Sequence, residues 1–293
     1  MNIVLAGCGY VGKRVAAREL ARGNTLLALV RSEESRQALV DTGINAIALD
    51  LGAPTDLDTL PVADSGLYYF APPPSTGTTD TRLRAFLDHT SPDRLPSRVV
   101  YISTTGVYGD CHGEWVKENR QPTPIADRAK RRWDAEQALH DWSAQTGVPV
   151  CILRVPGIYG PGKVPTRRIE QGTPVLAESE SPWSNRVHVD DLVRACVAAM
   201  DHGRPGRVYN ISDGNPSTMT DYFNQIADAM GLPRPRQISL EEAKQMFSRE
   251  LISYLTESKR LDNGLMRSEL GVVPEYPTLD IGLKAALAAS RQG

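Results

Sequence analysis

The first dozen residues constrain this chain more than any others. Asn2-Ile3-Val4-Leu5-Ala6 is a short apolar run with β-branched members, the pattern of a strand buried on both faces of a sheet. Gly7-Cys8-Gly9-Tyr10-Val11-Gly12 follows at once and reads G-x-G-x-x-G. Val11 to Arg22 then reads as a helix, with Val11, Val15, Ala16 and Leu20 on one side and Gly23 as its stop. In that setting each glycine has a mechanical role. Gly7 allows the tight turn, Gly9 lets the backbone approach a pyrophosphate, and Gly12 lets the helix pack closely on the strand. The free N–H groups at the helix start, at the positive end of its dipole, suit phosphates. A lone G-x-G-x-x-G is a weak signal, but one joining a strand to a helix is specific. The expectation is a dinucleotide site that includes Tyr10 and Val11; the competing reading is an ordinary glycine-rich turn.

Thr25 to Val30 reads as a second strand, and its end bears on cofactor choice. NAD sites place an Asp or Glu about 20 residues past the glycines, where it accepts bonds from the ribose hydroxyls. Here Arg31 and Ser32 occupy that place. A guanidinium beside a hydroxyl suits a 2′-phosphate, so NADP is favoured over NAD. Arg36 is a candidate helper, and a solvated surface arginine is the alternative. Ala46 to Leu49 reads as a third strand ending in Asp50-Leu51. That pair falls where an adenine would rest, with Asp50 either an acceptor for its amino group or a turn residue. Gly66 to Ala71 is a fourth strand, and the stiff loop from Pro72 to Gly77 borders the cofactor at its carboxyl end.

The rest alternates in the same way. A helix is expected over Asp80 to Asp88 and a strand over Arg98 to Ile102, followed by Ser103 to Gly109. A long helix spans Pro124 to Trp142, and a strand spans Val148 to Val155. After the loop Pro156 to Gly162 comes a short strand, Arg186 to Val189. Asp190 and Asp191 read as caps of the helix that ends near Met200. Arg207 to Ile211 is a further strand. This alternation predicts an α/β fold, a doubly wound parallel sheet. Further on, helices are expected from Thr220, as N-cap, to Met230, from Leu240 to Glu250 and from Leu279 to Ser290.

A chain of 293 residues can bury a full core. Its net charge of -2 gives no basic excess for nucleic acid or an acidic membrane surface. Cys8, Cys111, Cys151 and Cys196 are scattered, with no C-x-x-C pair, so neither a disulfide framework nor a metal site is expected. No run approaches a membrane span, and a cytoplasmic protein is the expectation.

Four spaced motifs occur in order: Gly7 to Gly12, Tyr101 to Gly109, Leu153-Arg154-Val155-Pro156-Gly157-Ile158-Tyr159-Gly160-Pro161-Gly162, and Arg186-Val187-His188-Val189-Asp190-Asp191. Over residues 1 to about 212 the chain resembles the extended short-chain dehydrogenase/reductase family, of the epimerase/dehydratase type. The resemblance implies a Rossmann domain over 1–155, to which 186–212 returns, and a small substrate lobe made mainly from 156–293. It also implies a nicotinamide cofactor, with Ala71 and Pro72 at its edge, and a homodimer through the helices near 80–88 and 124–142.

The family's chemistry rests on a Tyr, a Lys one helical turn on, a Ser or Thr, and an upstream Asn. A phenol near pKa 10 is a poor base until a nearby cation stabilises the phenolate. Thr104 matches the Ser/Thr position, and Asp80 stands where the Asn belongs. Aligning Glu136 with the family's glutamate puts Arg128 at the Tyr position and Arg132 at the Lys position. No tyrosine occurs between Tyr108 and Tyr159, so that helix has none. Tyr159 and Lys163 match Y-x-x-x-K, but the glycines and proline between them are not helical. Thr104, Tyr108 and Asp80 are therefore the catalytic candidates. Arg128 and Arg132 read either as an anion-holding pair or as part of a solvated basic face with Lys130 and Arg131. His188 reads as a structural histidine. Arg186 is a candidate for a substrate phosphate, at a spacing that departs from the family's nucleotide-sugar pattern. Two functions follow: an NADP(H)-dependent oxidoreductase or epimerase-like enzyme acting on a small carbonyl, hydroxyl or sugar-nucleotide substrate, or a non-catalytic NADP(H)-binding redox sensor or regulatory protein.

Overall fold

The computed structural model describes residues 1–53 and 60–290. Its main sheet has seven strands: β1 (Asn2–Ala6), β2 (Thr25–Val30), β3 (Ala46–Ala48), β4 (Gly66–Tyr69), β5 (Arg98–Thr104), β6 (Val150–Val155) and β7 (Arg207–Asn210). Their spatial order is β7-β6-β5-β4-β1-β2-β3, and every neighbouring pair is parallel. The chain winds outward both ways from β1, so the crevice beyond the carboxyl ends of β1 and β4 is the switch point where such sheets take ligands. This is the doubly wound Rossmann architecture that the sequence predicts.

Five helices flank the sheet: α1 (Tyr10–Ala21), α2 (Glu33–Val40), α3 (Thr81–Asp88), α4 (Asp127–Thr146) and α5 (Val189–His202). Successive strand residues point to opposite faces, and both faces are covered. Ile3, Leu5 and Val100 pack with Val15, Leu192 and Cys196 from α1 and α5. Val4, Leu67 and Ile152 pack with Leu83, Phe86 and Leu139 from α3 and α4. All four cysteines are buried and free.

The smaller lobe is built on the helices Met219–Met230 and Leu279–Ser290, around Tyr159, Phe223, Ile226 and Leu283. It is not one continuous stretch. Met266, Leu270 and Val272 pack into the core of the sheet's first face, and Arg260–Leu261 pairs with Trp115–Val116. Residues 260–272 therefore pack with the Rossmann half.

Three local expectations are corrected. Thr218, not Thr220, caps the Met219–Met230 helix, accepting from the Asp221 N–H, while the Thr220 hydroxyl donates to the Leu176 carbonyl. The expected helix from Leu240 to Glu250 is two helices, Leu240–Met246 and Arg249–Leu255, because Phe247 is extended and Ser248 caps a new start. At α5 the cap is His188, whose ring accepts from the Asp190 N–H. Asp191 instead accepts N–H bonds from Glu275 and Tyr276 at 2.9 and 3.0 Å, tying down the approach to the last helix. No described helix is long and apolar enough to cross a membrane.

Candidate functional site

Two cavities meet at the carboxyl edge of the sheet. The first, of about 600 Å3, starts at the β1–α1 turn, with Gly7, Gly9, Tyr10, Val11 and Gly12 on its wall. Arg31 and Ser32 line it beyond β2, Asp50 and Leu51 beyond β3, and Ala71 and Pro72 beyond β4. All the residues expected from the sequence to hold a dinucleotide thus surround one space. Ser35, Phe70 and Arg82 line it too, beyond the residues expected there. They come from separate segments with no local signature.

The turn shows why glycines stand there. Gly7 has φ of +94°, and a Cβ on it would lie 2.5 Å from the Ala71 nitrogen. A Cβ on Gly12 would lie 2.7 Å from the Gly7 carbonyl oxygen. A Cβ on Gly9 would meet no protein atom within 4 Å. Gly9 therefore borders open space beside the unpaired N–H groups that begin α1, a cradle whose backbone a phosphate can approach. The residues present fit a dinucleotide. Tyr10 closes one side, donating from its hydroxyl to the Pro161 carbonyl at 2.9 Å.

At the far end Ser32 caps α2, accepting from the Ser35 N–H and donating to the Ser35 hydroxyl at 2.9 Å. Arg36 is bonded to Glu33 at 2.6 Å and does not line the cavity. Asp50 accepts from the Gly52 N–H at 2.9 Å, so it is a turn aspartate that also stands on the cavity wall. Arg82 on α3 donates to the Pro72 carbonyl at 2.6 Å, closing that side.

The second cavity, of about 620 Å3, shares Ile158 and Lys163 with the first. Thr104, at the end of β5, lines it. Its Oγ1 accepts from the Gly106 N–H at 3.2 Å, which leaves the hydroxyl proton available to a ligand. Arg128 and Arg132, one turn apart on α4, line the same wall. Arg128 donates to the Ser253 hydroxyl at 2.8 Å and lies 3.6 Å over the Tyr254 ring. Arg132 donates to the Tyr101 hydroxyl and the Ile102 carbonyl at 3.0 and 3.1 Å. The solvated-face reading fails for them, and also for Arg131, which is buried and bonded to the Gly77 carbonyl. Lys130, paired with Asp127, is the one that fits it.

The other catalytic candidates lie elsewhere. Asp80 is fully buried and caps α3 by accepting from the Leu83 N–H at 3.1 Å. Burial pushes its carboxyl pKa up, and it lines neither cavity. Tyr108 is fully buried, donates to Asn210 Oδ1 at 2.8 Å, and has the Arg154 guanidinium 4.7 Å from its ring centre. Burial pushes its phenol up to about 12, although Arg154 acts the other way. It, too, lines neither cavity. Beneath Thr104, Glu136 accepts from Arg154 at 2.6 Å and from the Ser103 hydroxyl, a buried network joining α4 to β5 and β6. Tyr159 is buried against His188 in the strand Gly157–Tyr159, whereas Lys163 follows a turn at the seam of the cavities. The two do not form a helical pair. His188 stacks on Tyr276 with ring centres 3.8 Å apart.

The model of the NAD dependent epimerase/dehydratase family matches residues 3–212. Protein YeeZ of Escherichia coli strain K12 is 27% identical over 286 residues, covering 94% of this chain and 96% of that protein. A conserved protein of unknown function from Silicibacter pomeroyi superimposes with a TM-score of 0.85 at 29% identity, covering 98% of each chain. UDP-glucose 4-epimerase from Thermotoga maritima, solved with UDP-glucose, gives a TM-score of 0.80 at 19% identity, covering 100% of this chain and 99% of that one. The last likeness is one of fold.

Proposed function

The chain belongs to the NAD dependent epimerase/dehydratase family, and from that premise we propose that it is an NADP(H)-dependent oxidoreductase acting on a small molecule in the second cavity. The observation that carries this reading is the seam: Ile158 and Lys163 line both cavities, so the cavity holding the cradle at Gly9 and the one holding the hydroxyl of Thr104 are direct neighbours. A bound nicotinamide dinucleotide supplies hydride transfer. The chain supplies the rest. The backbone of the Gly7–Gly12 turn and the start of α1 hold phosphates. Arg31, with Ser32 and Ser35 beside it, offers a fork and hydroxyls to a 2′-phosphate. Thr104 orients the substrate oxygen by donating a hydrogen bond to it. The usual tyrosine and lysine are absent from α4, so the proton comes from a different group.

The second reading, a non-catalytic NADP(H)-binding sensor or regulator, is favoured by one observation. The arginines at the Tyr and Lys positions are engaged with Ser253, Tyr254, Tyr101 and Ile102. Calorimetric titration with NADPH, NADP+ and NADH tests both readings. NADPH and NADP+ are expected to bind more tightly than NADH. Arg31→Ala should weaken the 2′-phosphorylated forms by about tenfold, the scale of one exposed charge-assisted contact, and leave NADH unchanged. A large bias between NADPH and NADP+ without turnover selects the sensor. No binding of any of the three overturns both.

A further inference from the structure

Two arginines are buried in this molecule under opposite conditions. Arg154, 3% exposed, is held bidentately by Glu136. Arg186, 8% exposed, has no carboxylate paired with it among the described residues. Its Nη1 donates to the Asn185 carbonyl at 2.7 Å, and its Nη2 lies 3.1 Å from the Met219 sulfur, a weak acceptor. Its guanidinium sits 4.2 Å from the Tyr222 ring centre. The buried carboxylate of Asp213 feels its charge without pairing with it. The different settings move the two arginines apart. Glu136 raises Arg154 above the ordinary guanidinium value despite burial, whereas burial pulls Arg186 below it.

The fold makes room for this cation. Gly157 lies against it, and a Cβ there would stand 3.0 Å from Arg186 Cδ and 3.3 Å from Nε and Nη1. Arg186 lines the second cavity together with Arg128, Arg132, Lys163 and Lys259. The one carboxylate on that wall, Glu257, is paired with Lys259 at 3.0 Å. A buried, unpaired guanidinium is unfavourable unless an anion completes it, and the surrounding charge is of the sign that draws one in.

We propose that the second cavity takes a compact ligand bearing a carboxylate or phosphomonoester group, and that this oxyanion seats on Arg186. The proposal names the ligand class for the cavity assigned above to substrate, but the anion seat itself requires no cofactor. A planar fork matches both groups bidentately.

Thermal melts and calorimetric titrations with inorganic phosphate and with succinate, against chloride at matched ionic strength, test it on the wild-type chain, Arg186→Met, Arg186→Lys and Arg31→Ala. The wild-type midpoint should rise with at least one of the two anions. Arg186→Met should melt at or above wild type without ligand, since an unpaired buried charge is gone. It should also bind the anion about tenfold more weakly or lose the response. Arg186→Lys keeps the charge without the fork and should retain part of the response. If Arg186→Met does not fold, unchanged affinity in Arg186→Lys overturns the proposal. The stronger anion tells which oxyanion the seat prefers, and either choice supports it. No response to either anion, or a response that survives in Arg186→Met, overturns it. A response lost only in Arg31→Ala belongs to the first cavity, which overturns the seat and leaves the dinucleotide reading standing.

Discussion

The two cavities have nearly the same volume, about 600 and about 620 Å3, yet they are built on opposite plans. The first is a backbone site. Its critical wall is one contiguous turn, Gly7–Gly12, and the rest comes from the ends of consecutive strands. The second is a side-chain site. Its wall is gathered from the end of β5, one face of α4, the loop after β6, the strand before α5 and the lobe helices. The first needs missing side chains and oriented N–H groups, and the second needs positive charge. A backbone site can serve any member of a family with the same cofactor. A side-chain site can be rebuilt for a new ligand without disturbing the sheet.

The glycines offer the strongest way to break that contrast. Gly7→Ala forces a Cβ at positive φ into the Ala71 backbone. Strain and overpacking together should destabilise the fold by about 2–6 kcal/mol, with loss of dinucleotide binding. Gly9→Ala meets nothing within the protein, so its melting midpoint should stay close to wild type. Its affinity for NADPH should nevertheless fall, because the new methyl occupies the space of the ligand. Melting curves beside calorimetry check the pair. If Gly9→Ala binds normally, the turn is not a phosphate cradle, and the first cavity is an ordinary groove.

Thr104 tests the other side. Thr104→Val keeps the shape of the side chain and removes the hydroxyl. On whichever substrate of a carbonyl and sugar-nucleotide panel shows NADPH oxidation, turnover should fall by about 10²-fold, the scale of one lost donor at a developing oxyanion. NADPH affinity should be unchanged. Unaltered turnover would move the reacting oxygen away from β5.

The same contrast governs what could be read from the sequence. The sheet was legible because apolar runs, glycines and helical stretches alternate along the chain, and strand order follows from parallel winding. The first cavity was legible because strand ends and one glycine turn are local features. The second was legible only in pieces. Thr104, Arg128, Arg132 and Arg186 stand out as separate motif positions with nothing to join them, and Tyr222, Tyr254 and Lys259 carry no signal until the lobe folds back. Asp80 and Tyr108 show the converse. Their motif positions suggested chemistry, but Asp80 Oδ1 caps α3, the Tyr108 hydroxyl bonds Asn210, and neither residue lines a cavity. Arg132 was legible as a family position, but its bonds to Tyr101 and Ile102 depend on the register between α4 and β5.

The smallest of the expected effects separates the cavities by pH. Asp213 is buried, and burial pushes its carboxyl up from 3.8 to about 7, with Arg186 opposing the shift and Asp191 adding to it. A carboxyl whose folded pKa lies above its unfolded value binds its proton more tightly in the folded chain. Its contribution to stability is full below pH 4 and is lost as pH rises through 7. Between pH 5 and pH 7 this amounts to about 2 kcal/mol. His188 runs the other way: burial lowers its folded pKa below 6.5, so it disfavours folding as pH falls. The wild-type profile mixes these with other buried carboxyls such as Asp80, and the comparison with Asp213→Asn isolates the first. Asparagine keeps an oxygen to accept the Asn215 N–H and cannot ionise. Urea melts across pH 5 to 8 should show wild type losing stability relative to Asp213→Asn as pH rises. The difference should grow and extend to higher pH when an anion holds Arg186, because Asp213 then loses the cation that favours its charged form and stays protonated to higher pH. Gly9→Ala should follow the wild-type profile throughout, since the backbone site has no group that titrates in this range by virtue of its glycines. Parallel profiles for wild type and Asp213→Asn would show that Asp213 is solvated, and the interior around Arg186 would then be wetter and its guanidinium less in need of an anion.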